Sequence, residues 1–282
     1  MADYKLVALD LDGTLFDDNS RISDGNLAAL RRITDAGVHA VISTGRPFLG
    51  LPFDQLKGSG IDYAITANGS AIYRLSTGEC LCEEAMDIAA VLPILDFLLT
   101  KDIHIVAFIE GKGYMPVQSV SAGEKLPLPA EIKYYVTKTR TPVEDLKGFI
   151  RENNKKIQKV TLNFYADENG NFTDREEVRV FLESNPAVSC VCGGYNNLEF
   201  TRADVNKGRG LCTLAHLLHI PEADTMAIGD SGNDIAILKA AGLGIAMGNA
   251  SREVLAEASY ITDTNGNDGV AAALMHFFPE LF

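Results

Sequence analysis

The sequence lacks any apolar run close to the roughly 20 residues that a membrane-spanning helix requires. Its first residues, Met-Ala-Asp-Tyr-Lys, lead at once into a strand-like segment, without the basic and apolar regions of a secretory signal. Hydrophobic residues make up 46% of the 282 positions, which is enough for a full core. We therefore expect a cytoplasmic, globular protein, of a length that favours two domains.

Positive charge is also scarce, because 25 Lys and Arg residues face 38 Asp and Glu residues, for a formal net charge of −13. Such a charge disfavours binding to nucleic acid or to an anionic membrane. Residues 85–189 hold 13 basic and 15 acidic residues, whereas the remainder holds 12 and 23. The acidic remainder suits a site in which a divalent cation supplies positive charge.

Cysteine is too rare for a disulfide framework. Two Cys-x-Cys pairs, Cys80 with Cys82 and Cys190 with Cys192, accompany a lone Cys212. Without a secretion signal we predict free thiols that pack as small buried hydrophobic groups. A four-thiol zinc site is the alternative, disfavoured because structural zinc sites use wider spacings. Whether the pairs have a role beyond packing is left open by the sequence.

Strands and helices alternate at both ends of the chain. Near-continuous apolar strands are predicted at 5–9, 38–43, 63–67, 225–229 and 244–247. Helices are predicted at 23–36, 207–218 and 233–241, from 251, and at 268–278. Pro47 is predicted to start a further helix, and Asn68-Gly69 to form a hairpin turn into a strand at 71–73. This order is typical of a parallel sheet covered by helices.

The middle of the chain has a different order of predicted strands and helices. It predicts a helix at 85–100, a strand at 103–109, a Gly- and Pro-rich loop at 111–129, strands at 133–137, 159–164 and 187–192, and a helix at 174–184. Without a repeating strand–helix order, this segment reads as a separate α+β domain. We therefore predict a doubly wound, mainly parallel, Rossmann-like α/β core from residues 1–84 and 190–282, interrupted by an inserted domain at 85–189.

Two carboxylates follow the first strand directly, in Asp10-Leu-Asp12-Gly13-Thr14. Alternate residues of a strand share a face, so this spacing crowds two negative charges together. A bound cation or a shifted pKa would relieve the crowding. The alternative is a solvated turn, for which Gly13 is also suited.

Polar residues follow three further strand ends or open helices. Ser43-Thr44-Gly45-Arg46 offers a hydroxyl and backbone N–H groups to an anion, or else an ordinary helix cap. Lys207 opens a helix, where a cation is unfavourable without an anionic partner, although a solvated lysine is the common case. Gly229-Asp230-Ser231-Gly232-Asn233-Asp234 adds two carboxylates. Ligands of such sheets bind at the carboxyl ends of the strands, so we expect one shared crevice equipped for phosphoryl transfer.

These four segments, in this order, resemble the four motifs of the haloacid dehalogenase superfamily. The insert between the second and third motifs resembles the Cof-type subfamily with a C2-type cap, here residues 85–189. Asn68-Gly69 and Met247-Gly248-Asn249 also match the pattern of that subfamily. The resemblance covers nearly the whole chain, although the cap is matched by position alone.

The resemblance implies roles for the carboxylates. Asp10 would be the nucleophile and a Mg²⁺ ligand. Asp12 would be the general acid and then the base, with its backbone carbonyl on the Mg²⁺. Asp230 would bind the metal as well, and Asp234 would position Lys207 or a metal-bound water.

The resemblance also implies a phosphate site. Thr44 and Lys207 would hold the phosphate, and Asn233 would reach it. The remaining residues of the set, Gly45, Arg46 and Asn68, would line the rim.

The implied function is a Mg²⁺-dependent phosphatase that hydrolyses a small phosphorylated metabolite, such as a sugar phosphate, through an aspartyl-phosphate. A sugar phosphomutase is one alternative. A receiver-like signalling domain is another, which the large insert disfavours, and a binding protein without activity is a third. We expect no nucleic-acid or membrane partner, and a monomer or small homo-oligomer.

Within the insert, a basic stretch from Lys155 to Lys159 and the pair Tyr134-Tyr135 could contact substrate. The favoured interpretation is a solvated face for the lysines and core packing for the tyrosines.

Overall fold

A computed structural model describes residues 4–126, 128, 130–192 and 196–282. Its strands are β1 Leu6–Leu9, β2 His39–Ser43, β3 Tyr63–Thr66, β4 Ala71–Arg74, β5 Glu79–Glu83, β6 His104–Ile109, β7 Lys112–Pro116, β8 Thr141–Val143, β9 Lys159–Asn163, β10 Val188–Val191, β11 Asn197–Arg202, β12 Thr225–Gly229, β13 Leu243–Ala246 and β14 Tyr260–Ile261. Its helices are α1 Asp24–Asp35, α2 Phe53–Leu56, α3 Ile88–Leu98, α4 Gln118–Gly123, α5 Ala130–Lys138, α6 Leu146–Glu152, α7 Arg175–Glu183, α8 Lys207–Leu217, α9 Ile235–Ala240, α10 Arg252–Glu257 and α11 Gly269–Phe277.

The first compact unit comprises the chain up to Arg46, Leu51–Cys82 and Asn206–Phe282. Its eight-stranded sheet has the order β14-β13-β12-β1-β2-β3-β4-β5. The strands from β14 to β3 are parallel, and β4 is antiparallel to β3. With β1 at the centre and helices between the strands, this is the doubly wound, mainly parallel core that the sequence predicts.

Local sequence explains the elements of this unit. All four residues of β1 are buried, as expected for a central parallel strand. Helix α1 starts where the Ser23 side chain accepts a hydrogen bond from the Asn26 backbone N–H. The chain leaves this helix through Gly37, whose φ of +93° suits glycine.

The second unit comprises Pro47–Gly50 and Glu83–Val205. Its six-stranded sheet has the order β10-β11-β9-β6-β7-β8, in which β7 and β8 are parallel and the other pairs antiparallel. Alternate residues of β6 and β9, including Ile105 and Leu162, are buried in a core with apolar residues of α3, α6 and α7. It is therefore an α+β unit, in agreement with the α+β organisation predicted for the insert.

The boundaries of the two units differ from the predicted positions of 85 and 189. Strands β10 and β11 pair with each other and β11 pairs with β9, so the chain to Val205 belongs to the second sheet. The turn Phe48–Gly50 also belongs to the second unit, where the Leu49 backbone N–H donates to the Gly111 carbonyl at 2.9 Å. The helix predicted to start at Pro47 is thus one short turn, and the four-residue α2 follows later.

Two further predictions for the insert were wrong. The expected strand at 133–137 lies within α5, where Thr137 Oγ1 donates back to the Lys133 carbonyl at 2.8 Å. The expected loop at 111–129 contains β7 and α4. Glu110 and Gly111, with φ of +50° and +76°, form the tight turn that pairs β6 with β7.

Burial corrects three expectations about side chains. Cys80 and Cys192 are exposed and the other three cysteines are half-buried, so the thiols do not pack as buried hydrophobic groups. Lys159 is buried rather than solvated, and Tyr134 is 66% exposed rather than packed in the core. Among the helices of the described residues, none has the length and apolarity to cross a membrane.

Candidate active site

Four chain segments reach one edge of the first sheet. Leu9 of β1 pairs in register with Ile228 of β12 on one side and with Ile42 of β2 on the other, and Ser43 pairs with Ile65 of β3. Parallel strands in this register end at the same level, so the residues that follow them share the edge. The motifs after β1, β2 and β12 are therefore brought together as the sequence predicts.

A buried lysine lies at the centre of this edge. Lys207 Nζ is 2.6 Å from Asp10 Oδ1 and 2.6 Å from Asp234 Oδ1. Its side chain is fully buried, and those of the two aspartates are nearly so. The Asn206 side chain, rather than Lys207, caps α8 by accepting from the Arg209 backbone N–H. The anionic partners expected for a lysine at a helix start are therefore the carboxylates of Asp10 and Asp234.

Asp234 is held from both of its oxygens. While Oδ1 accepts from Lys207, Oδ2 accepts from the backbone N–H groups of Asp230 and Ser231 at 3.1 Å each. The Gly229–Asp234 turn is thus closed around this carboxylate. Asp234 therefore contacts Lys207 with one carboxylate oxygen and its own turn with the other.

The loop after β1 approaches Asp230 closely. Thr14 Oγ1 donates to Asp230 Oδ1 at 3.0 Å. Gly13 has a φ of +84°, and a Cβ atom on it would lie 2.5 Å from Asp230 Oδ2. Glycine is therefore required here both by the backbone conformation and by the close approach.

Burial and repulsion shape the ionisation of the cluster. Burial raises the pKa of the Asp10 carboxyl well above its usual range; Lys207 opposes this rise, and Asp234 adds to it. Burial also raises the pKa of Asp230 to about 6, with a further contribution from Asp234. Burial lowers the pKa of Lys207, but attraction to Asp10 and Asp234 outweighs it, so the pKa is raised overall. The carboxylates repel one another and stabilise the lysine cation.

The same cluster fits a divalent cation. Carboxylate oxygens of Asp10, Asp230 and Asp234 all lie within 4.8 Å of one another. Three carboxylates against one lysine leave two formal negative charges, which a doubly charged cation would balance. Oxygen donors of this type are those that Mg²⁺ prefers. Since both oxygens of Asp234 already accept hydrogen bonds, Asp10 and Asp230 are the side chains suited to bind the cation directly.

The predicted phosphate loop is held by the turn after β3. The Asn68 backbone N–H donates to the Thr44 carbonyl at 3.1 Å, and the Ala67 N–H donates to the Arg46 carbonyl at 2.9 Å. Ala67 and Asn68 both have left-handed φ values, +50° and +58°. Backbone strain of this kind is concentrated at functional sites. Thr44 is buried within this arrangement, and Gly45 beside it is half-buried.

Asn68 also connects the turn to the Asp230 segment. Asn233 Nδ2 donates to Asn68 Oδ1 at 3.4 Å, and Ser231 Oγ donates to Asn233 Oδ1 at 2.8 Å. On the other side, a Cβ on Gly69 would lie 2.1 Å from the carbonyl oxygen of Asn206, next to Lys207. The Asn68-Gly69 turn thus lies between two predicted motifs.

Asp12 and Arg46 form a separate pair. Arg46 Nε donates to Asp12 Oδ2 at 2.9 Å, and Nη2 donates to Oδ1 at 2.5 Å. The Asp12 side chain is 58% exposed, in contrast to buried Asp10. The metal contact expected for Asp12 is through its backbone carbonyl, and this side-chain pair with Arg46 leaves that expectation untouched.

Two asparagines that sequence reasoning left without a role support the β1 loop. Asn249 Nδ2 donates to the Gly13 carbonyl at 2.8 Å, and Asn249 Oδ1 accepts from the Asn265 backbone N–H at 2.9 Å. Asn265 Nδ2 in turn donates to the Phe16 carbonyl at 3.0 Å. The Met247-Gly248-Asn249 pattern was a signal for the first of these residues, but no pattern marks Asn265.

The sequence of the chain matches the family model of the haloacid dehalogenase-like hydrolases over residues 7–274, across both units. The chain belongs to the haloacid dehalogenase-like hydrolases. Membership confirms the predicted superfamily, the Rossmann-like α/β fold and the enzyme class, phosphoric monoester hydrolase.

Relatives of this haloacid dehalogenase-like hydrolase are named as phosphatases. A 5-amino-6-(5-phospho-D-ribitylamino)uracil phosphatase of Bacillus subtilis is 32% identical over 98% of this chain and 96% of its own length. A pyridoxal phosphate phosphatase of Escherichia coli is 26% identical over 95% and 96%.

Solved structures show the same fold. A haloacid dehalogenase-like hydrolase from Bacillus subtilis has a TM-score of 0.84 at 27% identity, covering 96% of this chain and 99% of its own. A HAD subclass IIB sugar phosphatase has a TM-score of 0.79 at 25% identity, covering 99% and 100%.

Proposed function

We propose that the chain is a Mg²⁺-dependent phosphatase that hydrolyses a small phosphorylated metabolite through an aspartyl-phosphate on Asp10. The observation that carries the proposal is the buried Lys207, 2.6 Å from both Asp10 and Asp234. A buried lysine between two carboxylates places a cation directly beside a candidate nucleophile. Phosphoryl transfer needs such a cation to stabilise the charge on the transferring oxygens.

In the first step, an Asp10 carboxylate oxygen attacks phosphorus and the bond from phosphorus to the leaving oxygen breaks. Lys207 stabilises the phosphoryl oxygens, aided by the Thr44 hydroxyl and the Asn233 amide. Asp234 holds Lys207 in place through its Oδ1. Gly45 and Asn68 line the rim of the phosphate site through their loop backbones.

Asp12 supplies the proton transfers, because it is the second carboxylate of the β1 loop and is exposed enough to exchange protons with water. The Asp12 carboxylate takes up a proton from water, transfers it to the leaving oxygen, and then accepts a proton from the water that attacks the aspartyl-phosphate. A Mg²⁺ held by Asp10, Asp230 and the Asp12 backbone carbonyl would add positive charge against the phosphoryl oxygens. Water attack releases phosphate and restores the Asp10 carboxylate.

The substrate that we propose is a phosphomonoester of a small polar alcohol, such as a sugar phosphate. The names of the relatives support this class, since they include a phosphoribitylamino compound, pyridoxal phosphate and a sugar phosphate. The second unit would act as the substrate-selecting cap. A cytoplasmic location and a monomeric or small homo-oligomeric state remain predictions.

The test is phosphate release from a panel of sugar phosphates, nucleotides, pyridoxal phosphate and the phosphoribitylamino uracil, with Mg²⁺ and then with chelator. We expect release from at least one phosphomonoester, and none with chelator. Isomerisation of a sugar phosphate without phosphate release would contradict the proposal.

Metal binding can be measured apart from turnover. Mg²⁺ at about 100 times its Kd should stabilise the wild-type fold by about 2.7 kcal/mol. The shift in melting temperature should be lost in Asp230→Asn and kept in Asp54→Asn, a matched control whose exposed carboxylate pairs with Lys57.

A further inference from the structure

The pair formed by Arg46 and Asp12 has a geometry that fixes the carboxylate. Two hydrogen bonds join the guanidinium to both carboxylate oxygens, at 2.9 and 2.5 Å. An exposed aspartate otherwise samples several side-chain rotamers. A bidentate arginine restricts the carboxylate to one orientation, which a lysine with its single point charge does not do.

Arg46 is itself held in place from two sides. Its guanidinium carbon lies 5.2 Å from the centre of the Phe16 ring, within the range of cation–π attraction. Its backbone N–H donates to Thr44 Oγ1 at 3.2 Å, and its carbonyl accepts from Ala67. Phe16 is buried and ends the same loop that carries Asp12, so that loop provides both the carboxylate and the ring surface for Arg46.

The charges also separate this pair from the cluster. Lys207 is the cation that contacts Asp10, whereas Arg46 directs Nε and Nη2 to Asp12. The Arg46–Asp12 pair is neutral overall. Arg46 is therefore placed to act on Asp12 rather than on the phosphoryl group.

We propose that Arg46 is a positioning residue that holds the Asp12 carboxylate in one orientation in the resting enzyme, from which Asp12 takes up a proton from water and delivers it to the leaving oxygen. The inference rests on the proposed function, in which Asp12 is the acid and base. It differs from the expectation that Arg46 lines the phosphate site, because a direct ligand of the phosphoryl group and a residue that acts through Asp12 have different kinetic consequences.

The test compares Arg46→Lys with wild type on two esters, an alkyl phosphate and 2,4-dinitrophenyl phosphate. The value of kcat/KM reports the steps up to departure of the leaving group, and only the alkoxide needs a proton to leave. General acids contribute about 100-fold or more, so partial loss of orientation should lower kcat/KM for the alkyl ester by about 10-fold or more. The dinitrophenyl ester should change by less than about 3-fold.

A double-mutant cycle decides whether Arg46 acts through Asp12. In the Asp12→Asn background, Arg46→Lys should cause no further loss on the alkyl ester. Equal losses on both esters, with full additivity to Asp12→Asn, would overturn the inference and make Arg46 a direct substrate ligand. An unchanged kcat/KM in Arg46→Lys would overturn it as well.

The chain offers a matched control. Arg74 lies 5.5 Å from the Tyr63 ring centre and 3.9 Å from a carboxylate oxygen of Asp62, which repeats the combination of arginine, ring and acid. It pairs in register with Tyr63, at the opposite end of β3 from the candidate site. Arg74→Lys should leave the ratio of the kcat/KM values for the two esters unchanged.

Two further variants keep the outcomes distinct. If Arg46→Lys does not fold, Phe16→Leu removes the ring surface beneath the guanidinium and should shift the ester ratio in the same direction. If wild type hydrolyses neither ester, or Asp10→Asn retains full activity, the proposed function fails. If wild type and Asp10→Asn behave as proposed but the ester ratio is insensitive to Arg46, only this inference fails.

Discussion

Each unit buries one lysine beside acidic side chains, but the net charge of the lysine and its acidic neighbours differs between the units. In the first unit, Lys207 faces Asp10 and Asp234, and Asp230 lies in the same cluster. In the second unit, Lys159 Nζ is 2.6 Å from Glu199 Oε1 and lies 4.9 Å from the Phe108 ring centre. The first group has an excess of two negative charges, and the second is a neutral pair.

The difference separates a site for chemistry from a structural pair. Burying charge is expensive unless it is compensated, so an uncompensated buried cluster persists where a ligand completes it. The neutral Lys159–Glu199 pair needs no ligand, and Thr161 Oγ1 adds a hydrogen bond to Glu199 at 3.3 Å. We therefore expect changes at Lys207 to affect catalysis, and changes at Lys159 to affect stability.

The largest effect is expected from Asp10→Asn, which removes the nucleophile but keeps an oxygen that accepts from Lys207. Hydrolysis should fall by at least ~10⁴-fold, because the amide oxygen does not form the acyl phosphate. Steady-state phosphate release measures this, with the melting temperature as the control for folding. Full activity in the variant would exclude Asp10 as the nucleophile.

Lys207→Met and Lys159→Met form a matched pair, since both remove a buried ammonium and keep an unbranched apolar side chain. We expect kcat to fall by about 10³-fold in Lys207→Met, as for removal of a group that stabilises charge in the transition state. Lys159→Met should keep the specific activity of its folded fraction. Equal losses of specific activity in both variants would remove the distinction between the two lysines.

How much the sequence could predict differs between the two units for physical reasons. In the first unit, β1 and β12 are buried on both faces and therefore read as apolar runs, and Ser23 marks the start of α1. In the second unit, tyrosine, valine and threonine gave 133–137 a strand-like composition. The segment is nonetheless helical, because helix packing, with Thr137 buried near Gly123, outweighs intrinsic preference.

The candidate site shows the same limit at the level of side chains. The spacing of the motifs was sufficient to predict that Asp10, Lys207, Asp230 and Asp234 converge, because strand ends in a parallel sheet share an edge. It was not sufficient to predict that the Asp12 side chain turns to Arg46. That choice depends on side-chain rotamers and on the position of the Phe16 ring, which no local pattern encodes.

A double-mutant cycle on Lys159 and Glu199 tests the comparison through stability, where the expected effect is smaller than the effects on activity. Removing one partner leaves a buried charge unpaired, so Lys159→Met should lower the free energy of unfolding by about 3–5 kcal/mol. The double variant Lys159→Met/Glu199→Leu leaves no unpaired charge and should recover most of that loss. Denaturant unfolding measures both. A double variant less stable than Lys159→Met alone would show that the pair is more than a compensated structural contact.

The smallest effect concerns a buried group of the second unit that stays neutral. Burial, with a smaller contribution from Arg140, lowers the pKa of His104 from 6.5 to about 4, and its Nδ1 lies 3.1 Å from Asn163 Nδ2. Between pH 6.5 and 4 the unfolded chain binds a proton there that the folded chain does not. Stability from this group is therefore complete above pH 6.5 and is lost as the pH falls, by at most about 1.4 kcal/mol per pH unit. In His104→Gln, the difference in bound protons between the unfolded and folded states should be smaller by about one in this window, and the slope of unfolding free energy against pH should decrease accordingly. Identical slopes in wild type and variant would show that His104 titrates normally.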